Sequence, residues 1–135
     1  MADPRAINAG PGRVLIAVYA IFALSASARA GVQIATRFAE APAAYLLSAF
    51  AAAVYLLATI GLARGGAAGR RIALVCCSVE LVGVLTVGAI SLAAPSVFPD
   101  DTVWSYFGRG YGFVPLVLPM LGLLWLWRTA RPATV

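Results

Sequence analysis

The chain has 135 residues, of which 62% are hydrophobic and 11% charged, and its formal net charge is +5. A water-soluble domain averages about 45–50% apolar and 25% charged residues and needs a more polar skin than this composition supplies, so the surplus apolar surface is expected to face lipid. All ten basic residues are arginine, with neither lysine nor histidine present. This excludes histidine-ligated haem, the usual zinc and copper sites, a Ser–His pair and a lysine Schiff base; no cofactor or metal is expected.

Four apolar blocks give expected spans at about 14–37, 43–63, 72–94 and 112–129. A spanning helix needs about 17–25 predominantly apolar residues. The second and third blocks meet this outright. The first does so if its outer end tolerates Arg29 and Gln33, and the short fourth extends into residues 128–131 because arginine snorkels. The alternating ten-residue segments of a membrane β-barrel are absent. The expected fold is an all-α membrane protein: one transmembrane domain over residues 1–135, a four-helix bundle running up-down-up-down, with no soluble domain.

In the first span Ala23, Ser27, Gly31 and Ala35 recur every four residues, a seam that lets helix backbones approach. Ser25, Arg29, Gln33 and Arg37 form a polar stripe at the same spacing. Lipid rejects such a stripe, so it is expected to face the bundle, a wet cavity or a partner. The second span opens at Pro42 after a short turn, predicting an antiparallel hairpin, and carries a small-residue seam of Ala44, Ser48 and Ala52 with Ala49 and Ala53 beside it. Gly61 and Gly65 fit GxxxG, though Gly65-Gly66 reads first as a helix stop. The linker RGGAAGRR follows.

The third span carries the adjacent Cys76 and Cys77, read as small buried hydrophobes, and then Glu80. An ionisable group in hydrocarbon is a functional-site hypothesis by default. At about 1.5 Å per residue, Glu80 lies roughly 12 Å from the inner edge, level with Tyr55 and near Tyr19. These three form an expected hydrogen-bonded cluster, either packing or coupling a proton or cation. Arg29 lies about 10 Å further out, so Arg29, Gln33 and Arg37 are expected to form a separate outer-half stripe suited to an anionic headgroup or carboxylate. Glu40, Asp100 and Asp101 belong to the same outer patch.

The connection PSVFPDDTVWSYFGRGYG is too aromatic for a loose linker. Asp100 can cap a short helix with Val103, Trp104 and Phe107 on one face and Gly108 at its end. The preference of Trp and Tyr for the interface predicts that this helix lies on the outer leaflet, as a packed lid. In the fourth span Pro115 falls in the first turn, while Pro119 is interior and is expected to kink the helix. Trp125 and Trp127 are expected to anchor the inner interface.

With alternating sides, Arg5, Arg13, Arg64, Arg70, Arg71, Arg128 and Arg131 share one side, opposed by Asp3 alone. The positive-inside rule makes that side cytoplasmic, with both termini on it. The basic balance is thus a topology signal: membrane lipid is an expected partner and nucleic acid is not. The start also has signal-peptide grammar, with a basic n-region, an apolar stretch over 14–24 and Ala26-Ser27-Ala28 or Ala28-Arg29-Ala30 as an A-x-A site. Apolar character continues through Val32 and Ile34, so an uncleaved span is the expectation.

The RVLIAVYAIFAL opening, the arginine-rich inner linker and the tail GYGFVPLVLPMLGLLWLWR together resemble small uncharacterised four-helix integral membrane proteins of high-GC, actinobacterial-type bacteria over the whole length. That resemblance implies the bundle fold and no particular activity. Four helices of this length are also similar in outline to the small multidrug-resistance exporters. Their essential carboxylate lies in the first helix, however, where this chain has Arg29. No nucleophile–base pair is visible, so an enzyme is not expected. The leading expectation is a small inner-membrane scaffold or accessory subunit packing against itself or a larger complex. The alternatives are a homo-oligomeric proton-coupled transporter using Glu80, and an outer-leaflet lipid or anionic-ligand binder using Arg29 and Arg37.

Overall fold

The computed structural model of the chain describes residues 6–130. Asp3, Arg5 and Arg131, which enter the charge reading, lie outside the described residues. Within them every regular element is helical: α1 (Pro11–Arg37), α2 (Pro42–Arg64), α3 (Gly66–Ala93) and α4 (Val114–Ala130), with 3-10 turns at Phe38–Glu40, Pro95–Val97 and Ser105–Tyr111. Three helices, α1 to α3, are long and apolar enough to cross a membrane. α4 has 17 residues and joins them only together with the preceding 3-10 turn, from which it is bent by 100°.

Proline and glycine set the boundaries. Pro11 and Pro42 occupy the first turns of α1 and α2, where a missing N–H costs nothing. The linker between α2 and α3, expected over residues 64–71, shrinks to Gly65 alone. That residue adopts φ +67°, open to glycine without penalty, and its N–H caps α2 by donating to the Gly61 carbonyl at 3.1 Å. The alanines and arginines that follow are good helix formers, so α3 starts six residues earlier than hydropathy predicts. Gly61 and Gly69 then let α2 and α3 touch at the hinge: a Cβ on Gly69 would collide with the Gly61 carbonyl oxygen, and one on Gly61 would lie 2.9 Å from the Gly69 carbonyl.

Consecutive helices pack against each other, α1 on α2, α2 on α3 and α3 on α4, while α1 and α4 barely meet. One end of the assembly is clasped by polar side chains. Asn8 Nδ2 donates to the Ala63 carbonyl at 3.1 Å, and Trp125 Nε1 to the Ile7 carbonyl at 2.9 Å. Arg70 donates to the Leu126 carbonyl at 2.9 Å and the Thr129 carbonyl at 3.3 Å. The bonds from Asn8 to the Ala63 carbonyl and from Arg70 to the Thr129 carbonyl satisfy groups that the last turns of α2 and α4 leave orphaned.

Helix rotation departs from expectation in α1. In α1 the packed stripe is Tyr19, Ala23, Ala26, Ala30 and Gln33, while Gly31 and Ala35 face outward. A strict four-residue repeat turns by about 40° per step on a 3.6-residue helix, so the predicted seam walks off the contact face. The α2 seam fares better, with Ala44, Ser48 and Ala52 buried, Ala49 half-buried and Ala53 exposed. Pro119 lies inside α4, and a separate 100° bend precedes the helix, at Gly112 and Phe113.

Gly69→Leu should therefore overpack the α2–α3 hinge and lower stability by about 1–3 kcal/mol. Gly31→Leu, where no atom lies within 4 Å of the new Cβ, should leave it unchanged. Thermal unfolding of both variants in detergent micelles checks the contrast.

Candidate functional site

The inward face of α3 presents Cys76, Cys77, Glu80, Val84 and Val87 to the other helices. Glu80 is fully buried, which is tolerable in an apolar interior only with hydrogen-bond partners. Tyr19 of α1 supplies one, its hydroxyl donating to Glu80 Oε1 at 2.7 Å while lying 3.2 Å from Cys77 Sγ. Gly122 of α4 makes room for this cluster: a Cβ there would lie 2.7 Å from Cys77 Sγ and 3.3 Å from the Tyr19 hydroxyl. Glu80 Oε2 has no hydrogen-bond partner among the described residues.

Tyr55 of α2 joins this centre through packing. Its ring is tilted on Tyr19 at 6.4 Å between centroids and meets the edge of Phe22 at 4.8 Å. Its hydroxyl accepts a hydrogen bond from Trp104 Nε1 at 2.7 Å. The sequence-predicted trio Tyr19, Tyr55 and Glu80 therefore does meet in one place, on three helices. Trp104 is the member that sequence reasoning missed.

Trp104 is buried rather than spread on the leaflet surface, and no Asp100-capped helix forms. The Thr102 and Trp104 amides donate instead to Ser105 Oγ (2.8 Å) and Thr102 Oγ1 (3.1 Å), while the Val103 amide donates to Ser48 Oγ of α2 (3.2 Å). This turn drives the indole down onto Gly83, where a Cβ would lie within 2.9 Å of the ring. Phe107 sits on Gly88 in the same way. The available signal was Gly83, three residues beyond Glu80: a glycine on the face of a buried carboxyl marks a notch for a large side chain. Tyr106, Phe107 and Gly108 take consecutive left-handed conformations, with φ of 52°, 63° and 84°. For the two aromatic residues this costs about 1–2 kcal/mol each. Such strain marks sites that the surrounding packing holds in place.

The outer stripe is split. Arg29 is exposed and reaches Tyr111, with Nη1 3.4 Å from the hydroxyl and the guanidinium carbon 5.4 Å from the ring centroid. Arg37 is exposed, whereas Gln33 is buried and its Nε2 has no partner among the described residues. Arg109 stacks on Tyr106 at 4.2 Å. Asp100 accepts from the Tyr45 hydroxyl at 2.7 Å and from the Asp101 amide at 2.8 Å. The Tyr45 bond, then the Asp101 amide and the Arg37 and Arg29 charges, hold its carboxyl below the usual carboxylate range. Ten residues of α1, about 15 Å, separate Tyr19 from Arg29, so the two polar centres are distinct. The free cysteines Cys76 and Cys77 are both buried, and no group of three or more metal-binding side chains occurs among the described residues.

No family model matches the chain, and neither a curated protein nor a solved structure is similar to it.

Tyr19→Phe should destabilise the fold by about 1–3 kcal/mol, because it strips the bound oxygen of a buried carboxyl of its donor. Tyr19→Phe combined with Glu80→Leu should recover part of that loss, since removing both partners is cheaper than removing one. Thermal unfolding of the full double-mutant cycle reads the coupling. At the outer patch the sign follows from a lowered folded-state pKa. The Tyr45–Asp100 contribution is present at neutral pH and lost as pH falls below about 4. Tyr45→Phe should flatten this acid limb when unfolding is followed from pH 7 to pH 3.

Proposed function

We propose that the chain is a four-span protein of a bacterial inner membrane, running up-down-up-down with both termini cytoplasmic. In this reading it acts without catalysis as a scaffold or accessory subunit, packing against a second copy or a larger membrane complex. The observation that carries the reading is the outward face of α1. Ala28, Gly31 and Ala35 are exposed there, beside the exposed Arg29, and nothing lies within 4 Å of a Cβ built on Gly31. Small residues on an exposed membrane helix suit close approach by another helix, and a nearby guanidinium supplies donors for that helix's carbonyls or carboxylates.

The distribution of charge supports the orientation. Asn8 meets Ala63, Ile7 meets Trp125 and Arg70 meets Thr129 at one end of the assembly. Arg13, Arg64, Arg71 and Arg128 belong to the helix ends gathered there. Arg37 and Arg109 stand at the opposite end with Glu40, Asp100 and Asp101. The excess of arginine makes the clasped end cytoplasmic. Gly31→Leu, a variant of unchanged fold stability, should reduce cross-linking from a photoreactive residue at position 35 in native membranes at least severalfold. Unchanged cross-linking would remove the α1 face from consideration.

A second reading is favoured by one specific observation, the unpartnered Oε2 of Glu80 at the level where Tyr19, Tyr55 and Cys77 converge. A buried carboxyl with one oxygen held and the other unpaired has a free lone pair for a proton or a cation, as a homo-oligomeric proton-coupled transporter needs. In that case Glu80→Gln should abolish substrate-driven proton release in proteoliposomes; full transport by this variant would eliminate the reading. The binding of an outer anionic ligand by Arg29, Gln33 and Arg37 draws less support, because Gln33 is turned inward and the Asp100 carboxylate shares the field of both arginines.

A further inference from the structure

The sparse contact between α1 and α4 leaves a groove along the outside of the assembly. Its floor is Leu15 and Leu118, both buried, and its walls are the exposed Val14, Val18, Leu121 and Leu124. At one end lies Trp125, pinned by its bond to the Ile7 carbonyl, and beside it Arg128. The groove holds about 400 Å³.

Its length and lining point to one kind of occupant. From Leu118 to Arg128 it follows α4 for ten residues, about 15 Å, which is half of the roughly 30 Å hydrocarbon core of a bilayer. It therefore runs from an interface to the midplane and covers one leaflet. The groove is lined by aliphatic side chains along this length and ends at an arginine, a lining that suits an occupant apolar along about 15 Å and anionic at one end, as an acyl chain with its headgroup is. Arg128 stands where the headgroup of that lipid would lie, with Arg13 exposed in the first turn of α1 at the same end. Arginine binds phosphate oxygens in a fork, and each basic residue near an anionic membrane surface contributes about 1 kcal/mol.

We propose that this groove is a binding site for one acyl chain of an anionic phospholipid, with its phosphate held at Arg128. The site belongs to the clasped end of α1 and α4 and is independent of the small-residue face of α1, of Glu80 and of which side of the membrane that end occupies.

The full-length protein, delipidated in detergent, is titrated with phosphatidylglycerol and, separately, with phosphatidylcholine, and bound lipid is counted by native mass spectrometry. One phosphatidylglycerol per chain is expected, bound at least fivefold more tightly than phosphatidylcholine. Arg128→Ala should remove about a fivefold preference, the equivalent of one basic residue at the surface. Val18→Trp and Leu121→Trp, which fill the slot from opposite walls, should each abolish retention of both lipids. Leu92→Trp, at an exposed position of α3 outside the groove, should change nothing. Equal retention of both lipids with no effect of Arg128→Ala would overturn the proposal. Retention that survives both wall-filling variants would do so too, as would a Val18→Cys disulfide dimer, which would put a second copy in the groove.

Discussion

A carboxyl group in the middle of an apolar helical assembly has to be hydrogen-bonded, and the bond from Tyr19 to Glu80 meets that need across two helices that are distant in sequence. An unpaired carboxyl in such a place costs several kcal/mol, so this bond constrains the placement of everything around it. It fixes the rotation of α1 against α3. It also forces α4 to offer a glycine, Gly122, where any side chain would strike Cys77 and the Tyr19 hydroxyl. The turn of residues 102–105 extends the same logic to α2, since Trp104 reaches Tyr55 only because Gly83 leaves a gap beneath the indole. The polar interior is thus an arrangement of aromatic hydroxyls and ring edges resting on missing side chains.

That arrangement explains why small residues serve two purposes here. At Gly61 and Gly69 they bring backbones together; at Gly83, Gly88 and Gly122 they admit rings and a thiol. Helices in lipid gain nothing from burying apolar surface against one another, because lipid is as apolar as leucine, and so rely on close packing and hydrogen bonds. A chain this poor in charge has few other sources of specificity. The strained run from Tyr106 to Gly108 belongs to the same account: its cost is offset by seating Phe107 in the Gly88 notch.

Much of this was legible in the sequence, for identifiable reasons. Hydropathy located all four helices, since each coincides with one apolar block. Depth counting along helices of known rise placed Tyr55 level with Glu80, Tyr19 near them, and set Arg29 apart. Rotation was less legible. The Ala23–Ala35 seam and the Arg29–Gln33–Arg37 stripe were drawn at a four-residue repeat, and a drift of about 40° per step carried Gly31 out of the interface and Gln33 into it. Trp104 was misplaced because a rule for average interfacial tryptophans says nothing about a glycine notch twenty-one residues upstream. The early start of α3 was hidden because arginines read as a loop in hydropathy but are good helix formers in a backbone sense.

The single-residue join at Gly65 has a consequence for mobility. A connection with no slack keeps α2 and α3 from separating or sliding past each other, and the Gly61–Gly69 contact locks them one turn away. The two helices therefore move as one rigid hairpin, against which Tyr19 of α1 and Gly122 of α4 are seated.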